Sequence, residues 1–164
     1  MTKALKIGIG LGLGAAVAVA GVVMFAGPKA GADPTDAVQV AWGKAVYAER
    51  CASCHGARLE GQPDWRSRKP DGRMPAPPHD ASGHTWHHPD DVLFEITRKG
   101  ISAFAPPGYE SELPAFGNLG DAGIWAVLAF IKSSWPEDIR HRHRHEAGQA
   151  ALALLQAAPD QVLK

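Results

Sequence analysis

The two cysteines of the chain lie within five consecutive residues, Cys51-Ala52-Ser53-Cys54-His55, and a histidine follows the second at once. This CxxCH spacing is the signature of covalent haem attachment. Each thiol can add to one vinyl group of a haem, and the adjacent imidazole can bind the iron from one axial side. The motif therefore predicts one covalently attached haem c, held by Cys51 and Cys54, with His55 as the proximal iron ligand.

Two other uses of a CxxC pair fit the chain less well. A structural zinc site needs four protein ligands, and the chain has no second cysteine pair. A thioredoxin-like redox pair needs a βαβ setting, whereas the residues before Cys51 have helical periodicity. Haem attachment is the interpretation that the motif favours.

The N-terminal segment 1–32 carries Lys3 and Lys6, followed by an uncharged apolar run over residues 7–26. The run is about as long as a membrane-spanning helix, roughly 20 residues. Ala30-Gly31-Ala32 has the small-x-small form of a signal-peptidase site, so removal of the segment and its retention as an anchor are both open, and the length favours the anchor. Lysines before the run predict export of everything after it, which places the protein in the bacterial periplasm, anchored to the inner membrane by residues 7–26.

Residues 33–164 are long enough for one core, and we divide them into a domain at 33–137 and a C-terminal helical tail at 138–164. Three of the 17 basic residues and none of the 17 acidic ones precede residue 33, which leaves 14 positive and 17 negative side chains. No basic face indicates nucleic-acid binding. No internal repeat is present, so we expect one haem per chain.

Apolar spacing predicts a first helix over 36–51, with small Gly43 on the stripe that would meet another helix. Prolines rule out a long helix over 56–88, which we expect to be a loop that folds over the haem. Pro89 suits a first helical position, and the acidic and basic ends of the segment predict a helix over 90–99 that stops at Gly100.

A second loop follows over 101–120. An apolar helix is predicted over 121–134, ended by Pro136, and a further helix over 138–158. The sequence thus predicts an all-α fold of three or more helices and long loops.

The order of these features resembles a class I cytochrome c of the monohaem, bacterial, membrane-anchored type: helix, CxxCH, prolines, middle helix, a Pro-Ala-Phe loop and a last helix that ends near a tryptophan. The resemblance covers roughly residues 36–136. It implies a haem-binding one-electron carrier, close crossing of the terminal helices, and a carbonyl of Pro77 or Pro78 bound to Nδ1 of His55.

The chain departs from this family where the family usually has Met-Pro-x-Phe, because Leu113-Pro114-Ala115-Phe116 stands in that place. A hydrocarbon side chain cannot bind iron, and residues 101–118 contain no Met, His, Cys or Lys. The sixth position is thus open to several interpretations: a vacant or water-bound iron beneath Leu113, Tyr109, Met74, or one of His79, His84, His87 and His88.

The same four histidines also suggest a copper or zinc site, although helix capping and contacts to the haem propionates explain them as well. The tail carries His141, His143 and His145. His141 and His145 share a helix face and suggest a two-histidine metal site, whereas the interleaved arginines favour a solvated charged face for all three histidines.

We expect an electron-transfer protein rather than an enzyme, with redox protein partners in the periplasm or the membrane. Weak peroxidase-like activity is not supported by any distal acid–base pair that the sequence reveals. The alternative function is haem-based binding or sensing of NO, CO or O₂ through an open distal site.

Overall fold

The computed structural model describes residues 30–105 and 112–157. The apolar run 7–26, Tyr109 and residues 158–164 lie outside them, so the predictions that concern those residues stay predictions. The described residues form five α-helices: α1 (Ala37–Arg50), α2 (Ala52–His55), α3 (Asp90–Lys99), α4 (Gly120–Ser133) and α5 (Glu137–Ala157). Short 3₁₀ turns occur at Thr85–His87, Ile101–Ala103 and Gly117–Leu119.

The described residues contain no β-strand, which confirms the predicted all-α fold class. The helix predicted over 90–99 has these same bounds, and the other predicted helices agree to within one residue at each end. One detail was wrong: Pro89 is the N-cap of α3, not its first helical residue. Asp90 and Asp91 occupy the first turn, where negative charge is favourable, and Gly100 ends the helix with φ of +78°.

Helix α1 begins at Asp36, whose Oδ1 accepts hydrogen bonds from the main-chain nitrogens of Val38 and Gln39 at 3.0 and 3.1 Å. It crosses α4, and this is the most extensive contact between two helices in the described residues. A Cβ atom on Gly43 would overlap the carbonyl group of Ala126. The close crossing predicted at Gly43 is therefore confirmed.

Two clusters of buried side chains lie on either side of α4. The first joins α1, α4 and α5 to the loop that follows α2, and consists of Tyr47, Leu59, Trp86, Val127, Ile131, Trp135 and Ile139. The second joins α3 and the segment before α1 to α4, and consists of Ala32, Leu93, Phe94, Ile124, Leu128 and Ala129. Burial of this apolar surface fixes the helices that position the CxxCH residues.

In residues 30–105 and 112–157, no helix is both long enough and apolar enough to cross a membrane.

Candidate haem-binding site

The CxxCH motif lies at the junction of α1 and α2. Cys51 is the C-cap of α1, and its main-chain N–H donates to the carbonyl oxygen of Tyr47 at 2.9 Å. Cys54 and His55 lie on α2, which ends at Gly56 with φ of +81°. Both thiols are free, and Cys54 is exposed whereas Cys51 is partly buried. The structure therefore presents two unpaired thiols next to one imidazole.

The thiol of Cys51 is a weak acid at this position. Burial raises its pKa to about 11, and the neighbouring Cys54 adds to the effect. Since the thiolate is the reactive form of cysteine, this thiol stays protonated near neutral pH. Cys51 therefore differs from the low-pKa thiol of a redox-active cysteine pair.

The imidazole of His55 is oriented by a main-chain carbonyl. Its Nδ1 lies 2.8 Å from the carbonyl oxygen of Pro77, and the ring is 8% exposed. A carbonyl accepts only, so Nδ1 carries the proton and Nε2 keeps the lone pair that iron requires. Burial lowers the pKa of His55, and the bond to Pro77 opposes this in part. Of the two prolines that the resemblance implied, Pro77 makes the contact.

Two glycines hold Pro77 and Pro78 in place. A Cβ atom on Gly61 would stand 2.5 Å from the nitrogen of Pro78, and Gly61 has φ of +70°. On the other side, a Cβ atom on Gly83 would overlap the carbonyl oxygen of Pro78. The main chain of Pro77 and Pro78 is therefore packed between the main chains of Gly61 and Gly83. The carbonyl of Pro77, which orients His55, has little room to shift.

His79 lies on the same side as His55, stacked on its ring. The ring centroids are 4.0 Å apart and the planes differ by 23°. Two axial ligands of one iron would instead point end to end, with about 4 Å between their nitrogens, since each metal–nitrogen bond is about 2 Å long. The proposal of His79 as sixth ligand is therefore wrong, because its side chain packs on the ring of His55, the predicted proximal ligand.

The other three histidines of this region have separate contacts. His84 stacks on Trp65 at 5.3 Å, and His88 meets the edge of His84 at 5.6 Å. His87 is exposed, stacks on Trp86 at 3.6 Å, and its Nδ1 lies 3.4 Å from Glu146 Oε2. Across the described parts of the chain, no group of three or more His, Cys, Asp or Glu side chains is arranged to hold a metal ion. The copper or zinc site suggested by these histidines is not formed there.

The loop that carries Leu113 is tied to the loop that carries Met74. Glu112, the residue before Leu113, pairs with Lys69 Nζ at 3.0 Å and with Arg73 Nη1 at 3.5 Å. Met74 follows Arg73 directly and is partly buried, as is Leu113. Two segments that the sequence analysis offered as alternatives for the distal side are thus in contact in the structure.

The tail was only partly predicted. His141 and His145 are exposed, as a charged face requires, but His143 is 3% exposed. Its Nδ1 lies 3.0 Å from the carbonyl oxygen of Trp86, and its Nε2 lies 2.9 Å from Asp90 Oδ1. The interpretation of all three histidines as solvated is therefore wrong for His143, which holds α5 against the rest of the domain.

Several residues that support the site were missed by the sequence analysis. The Tyr47 hydroxyl donates to the carbonyl oxygen of Gly56 at 2.9 Å, and the Trp135 indole N–H donates to that of His79 at 2.8 Å. Burial raises the pKa of Tyr47, so the hydroxyl stays protonated and can donate. Buried aromatic residues with one polar atom usually find such a partner, which is the signal that points to them.

The donor set fits a covalently bound haem. Two free thiols stand at the required spacing, and an imidazole with its lone pair on Nε2 follows them. A family model for cytochrome c matches residues 40–135. No curated protein and no solved structure matches the chain.

The matched region is more than half of the chain, and the chain therefore belongs to the cytochrome c family. Its cofactor is a covalently attached haem c, and its general function is that of a haem-binding electron carrier.

Proposed function

We propose that the protein passes single electrons between redox proteins of the bacterial periplasm or inner membrane, tethered by residues 7–26. The observation that carries the proposal is the Nδ1 contact of His55 with Pro77 at 2.8 Å, beside two free thiols. A neutral imidazole held in one orientation can stay bound to iron in both the ferrous and the ferric state, as one-electron transfer requires. The bound haem supplies that redox chemistry, and the chain supplies attachment, orientation and burial.

The exposure of the attachment side supports a carrier. Ser53 and Cys54 are exposed, while His55 behind them is buried. A partner could thus approach the cofactor at its thioether edge while the proximal ligand stays out of water. The lysines at positions 3 and 6 and the apolar run after them support export and tethering.

A reversible redox titration of the full-length holoprotein tests the carrier function. We expect a one-electron transition that is the same on reduction and on reoxidation, and rapid electron exchange with a small soluble mediator. An irreversible transition, or exchange limited by slow gain and loss of an iron ligand, would contradict it. Recovery of the protein with the membrane fraction, and the mass of the mature chain, test the tether separately.

A second candidate is binding of CO, NO or O₂ at an open distal position. Leu113 favours it, and so does the stacking of His79 on His55, which removes one possible sixth ligand. Met74 is one rival for the sixth position, since Arg73 next to it contacts Glu112. Tyr109, His84, His87 and His88 stay open as other rivals.

Addition of CO to the reduced holoprotein distinguishes these cases. Rapid stoichiometric binding supports an open site. A low-spin spectrum that CO does not change contradicts it, and Met74→Leu then asks whether Met74 is the ligand. If it is, this variant binds CO whereas wild type does not.

A further inference from the structure

The ring of His55 has two different restraints. The hydrogen bond to Pro77 at 2.8 Å fixes one atom, Nδ1. The ring of His79 lies flat against its face, with the centroids 4.0 Å apart and the planes within 23° of each other. A single hydrogen bond leaves the imidazole free to rock about that contact. A second ring packed on its face removes this freedom, because any rotation would part the rings or press them together.

The main chain of His79 is itself held by two separate hydrogen bonds. Its main-chain N–H donates to the carbonyl oxygen of Leu59 at 2.8 Å, and its carbonyl accepts from the Trp135 indole at 2.8 Å. Leu59 is 4% exposed and has φ of +70°, a conformation rare for a residue with a side chain. The fold accepts this strain at the residue whose carbonyl holds His79.

The plane of the His79 ring is set by Thr85. The buried hydroxyl of Thr85 lies 2.8 Å from Nδ1 of His79 and 3.5 Å from the carbonyl oxygen of Pro78, and the shorter of these two hydrogen bonds holds the ring.

We propose that His79 is a positioning residue that sets the rotation of the His55 ring about its bond to iron, and through it the electronic structure of the haem. Thr85 orients His79, and His79 orients His55. Partners of a metal-bound histidine commonly fix the orientation of its ring. This proposal needs the attached haem c but not the direction, partner or location of electron transfer.

The orientation of an axial imidazole determines how the unpaired electron of low-spin ferric haem is spread over the porphyrin. The proton NMR shifts of the four haem methyl groups report that distribution. Cyanide is added wherever the distal position accepts it, because cyanide is symmetric about its bond to iron and leaves the imidazole plane as the determinant of the pattern.

The experiment compares full-length ferric holoproteins carrying His79→Ala, His79→Phe or Thr85→Val with wild type. His79→Ala is expected to change the order of the methyl resonances or to narrow their spread. His79→Phe keeps a flat ring but loses the hydrogen bond to Thr85, so its pattern should lie between those of wild type and His79→Ala. Thr85→Val frees the His79 ring and should move the pattern in the direction of His79→Ala, by less. His141→Ala is the matched control, because His141 is an exposed histidine on α5 and should leave the pattern unchanged.

Two results would overturn the proposal. One is a wild-type methyl pattern in His79→Ala, even with lower thermal stability, because His79 would then serve packing alone. The other is an equal change in His79→Phe and His79→Ala, because the face of the ring would then not be what acts on His55. If His79→Ala does not yield holoprotein, Thr85→Val decides: a wild-type pattern there rejects the role.

Discussion

Gly43 lies directly against the main-chain carbonyl of Ala126, at the point where α1 crosses α4. A methyl group at position 43 would overlap main-chain atoms, which cannot rotate away as the end of a side chain can. We predict that Gly43→Ala lowers the free energy of unfolding of the holoprotein by about 3 kcal/mol, at the upper end of the usual cost of overpacking.

Gly148 is the control for this substitution. It also lies on a helix, but a Cβ atom there would have nothing within 4 Å. Gly148→Ala should be neutral or stabilising by up to about 1 kcal/mol, because alanine favours helix. Denaturant unfolding monitored by circular dichroism measures both variants. Equal effects would mean that the helices do not cross as closely as described.

The docking of α5 depends on His143. Replacement by alanine leaves the carbonyl oxygen of Trp86 without this donor and removes one partner of Asp90, at a cost of about 1–3 kcal/mol for buried hydrogen-bonding groups. We expect faster hydrogen exchange and proteolysis of α5 in His143→Ala. His141→Ala removes an exposed histidine from the same helix and should exchange as wild type does. Equal protection in both variants would contradict the role of His143.

Acid should loosen the same contact. Burial by itself raises the pKa of Asp90, but hydrogen bonds from His143 and Lys132 and their charges outweigh it, so the pKa lies below the ordinary value of 3.8. A carboxyl with a lowered pKa in the folded state contributes stability above pH 3.8, and this contribution is lost as the pH falls below that value. Asp90→Asn should therefore be less stable than wild type near neutral pH, and the difference should shrink towards about pH 3. A difference that does not change with pH would show that the charge of Asp90 is not what matters.

The close contact between Gly61 and Pro78 can be tested by comparing alanine variants of two glycines. Gly61 and Gly72 both have positive φ, +70° and +84°, but a Cβ atom meets main chain at Gly61 alone and nothing within 4 Å at Gly72. In both alanine variants, backbone strain lowers the free energy of unfolding by about 1–2 kcal/mol. Gly61→Ala should lose more stability, because it also displaces the segment whose carbonyl orients His55. Thermal unfolding of the two holoproteins compares them, and a larger loss in Gly72→Ala would contradict this account.

A methionine at position 113 should restore an axial ligand. The loop is held at both ends, by Glu112 to Lys69 at 3.0 Å and by the main-chain N–H of Phe116 to the carbonyl oxygen of Thr97 at 3.0 Å. If wild type binds CO, Leu113→Met should convert the spectrum to low-spin and abolish rapid CO binding. Leu119→Met is the control, because Leu119 packs against the second buried cluster. An unchanged spectrum in Leu113→Met would mean that the loop does not face the iron.

Local sequence signals were enough to predict the helices. The bounds of α3 follow from acidic residues at its start and glycine after its end, and one five-residue motif gives the prediction of the attachment residues. These features depend on neighbours in the chain, so a sequence carries them directly.

Contacts between distant segments were not predictable in the same way. His143 alternates with arginines, a pattern typical of an exposed face, and becomes buried only because α5 packs on Trp86 and Asp90, which are 57 and 53 residues away in sequence. The sequence did not distinguish His79 from the three histidines that follow it, because its contact with His55 depends on how the intervening loop folds. In both cases the chemistry of the side chain was visible, and its partner was not.

The contacts of two segments described above differ in burial. Tyr47, Leu59 and Thr85 hold the His55 side from buried positions, whereas the contacts that join the loop of Leu113 to the loop of Met74 include ion pairs of Glu112 whose side chains are 30–44% exposed. Exposed pairs of this kind contribute at most about 1 kcal/mol. We therefore expect substitutions in the loop of Leu113 to disturb folding less than substitutions among the buried residues that hold His55.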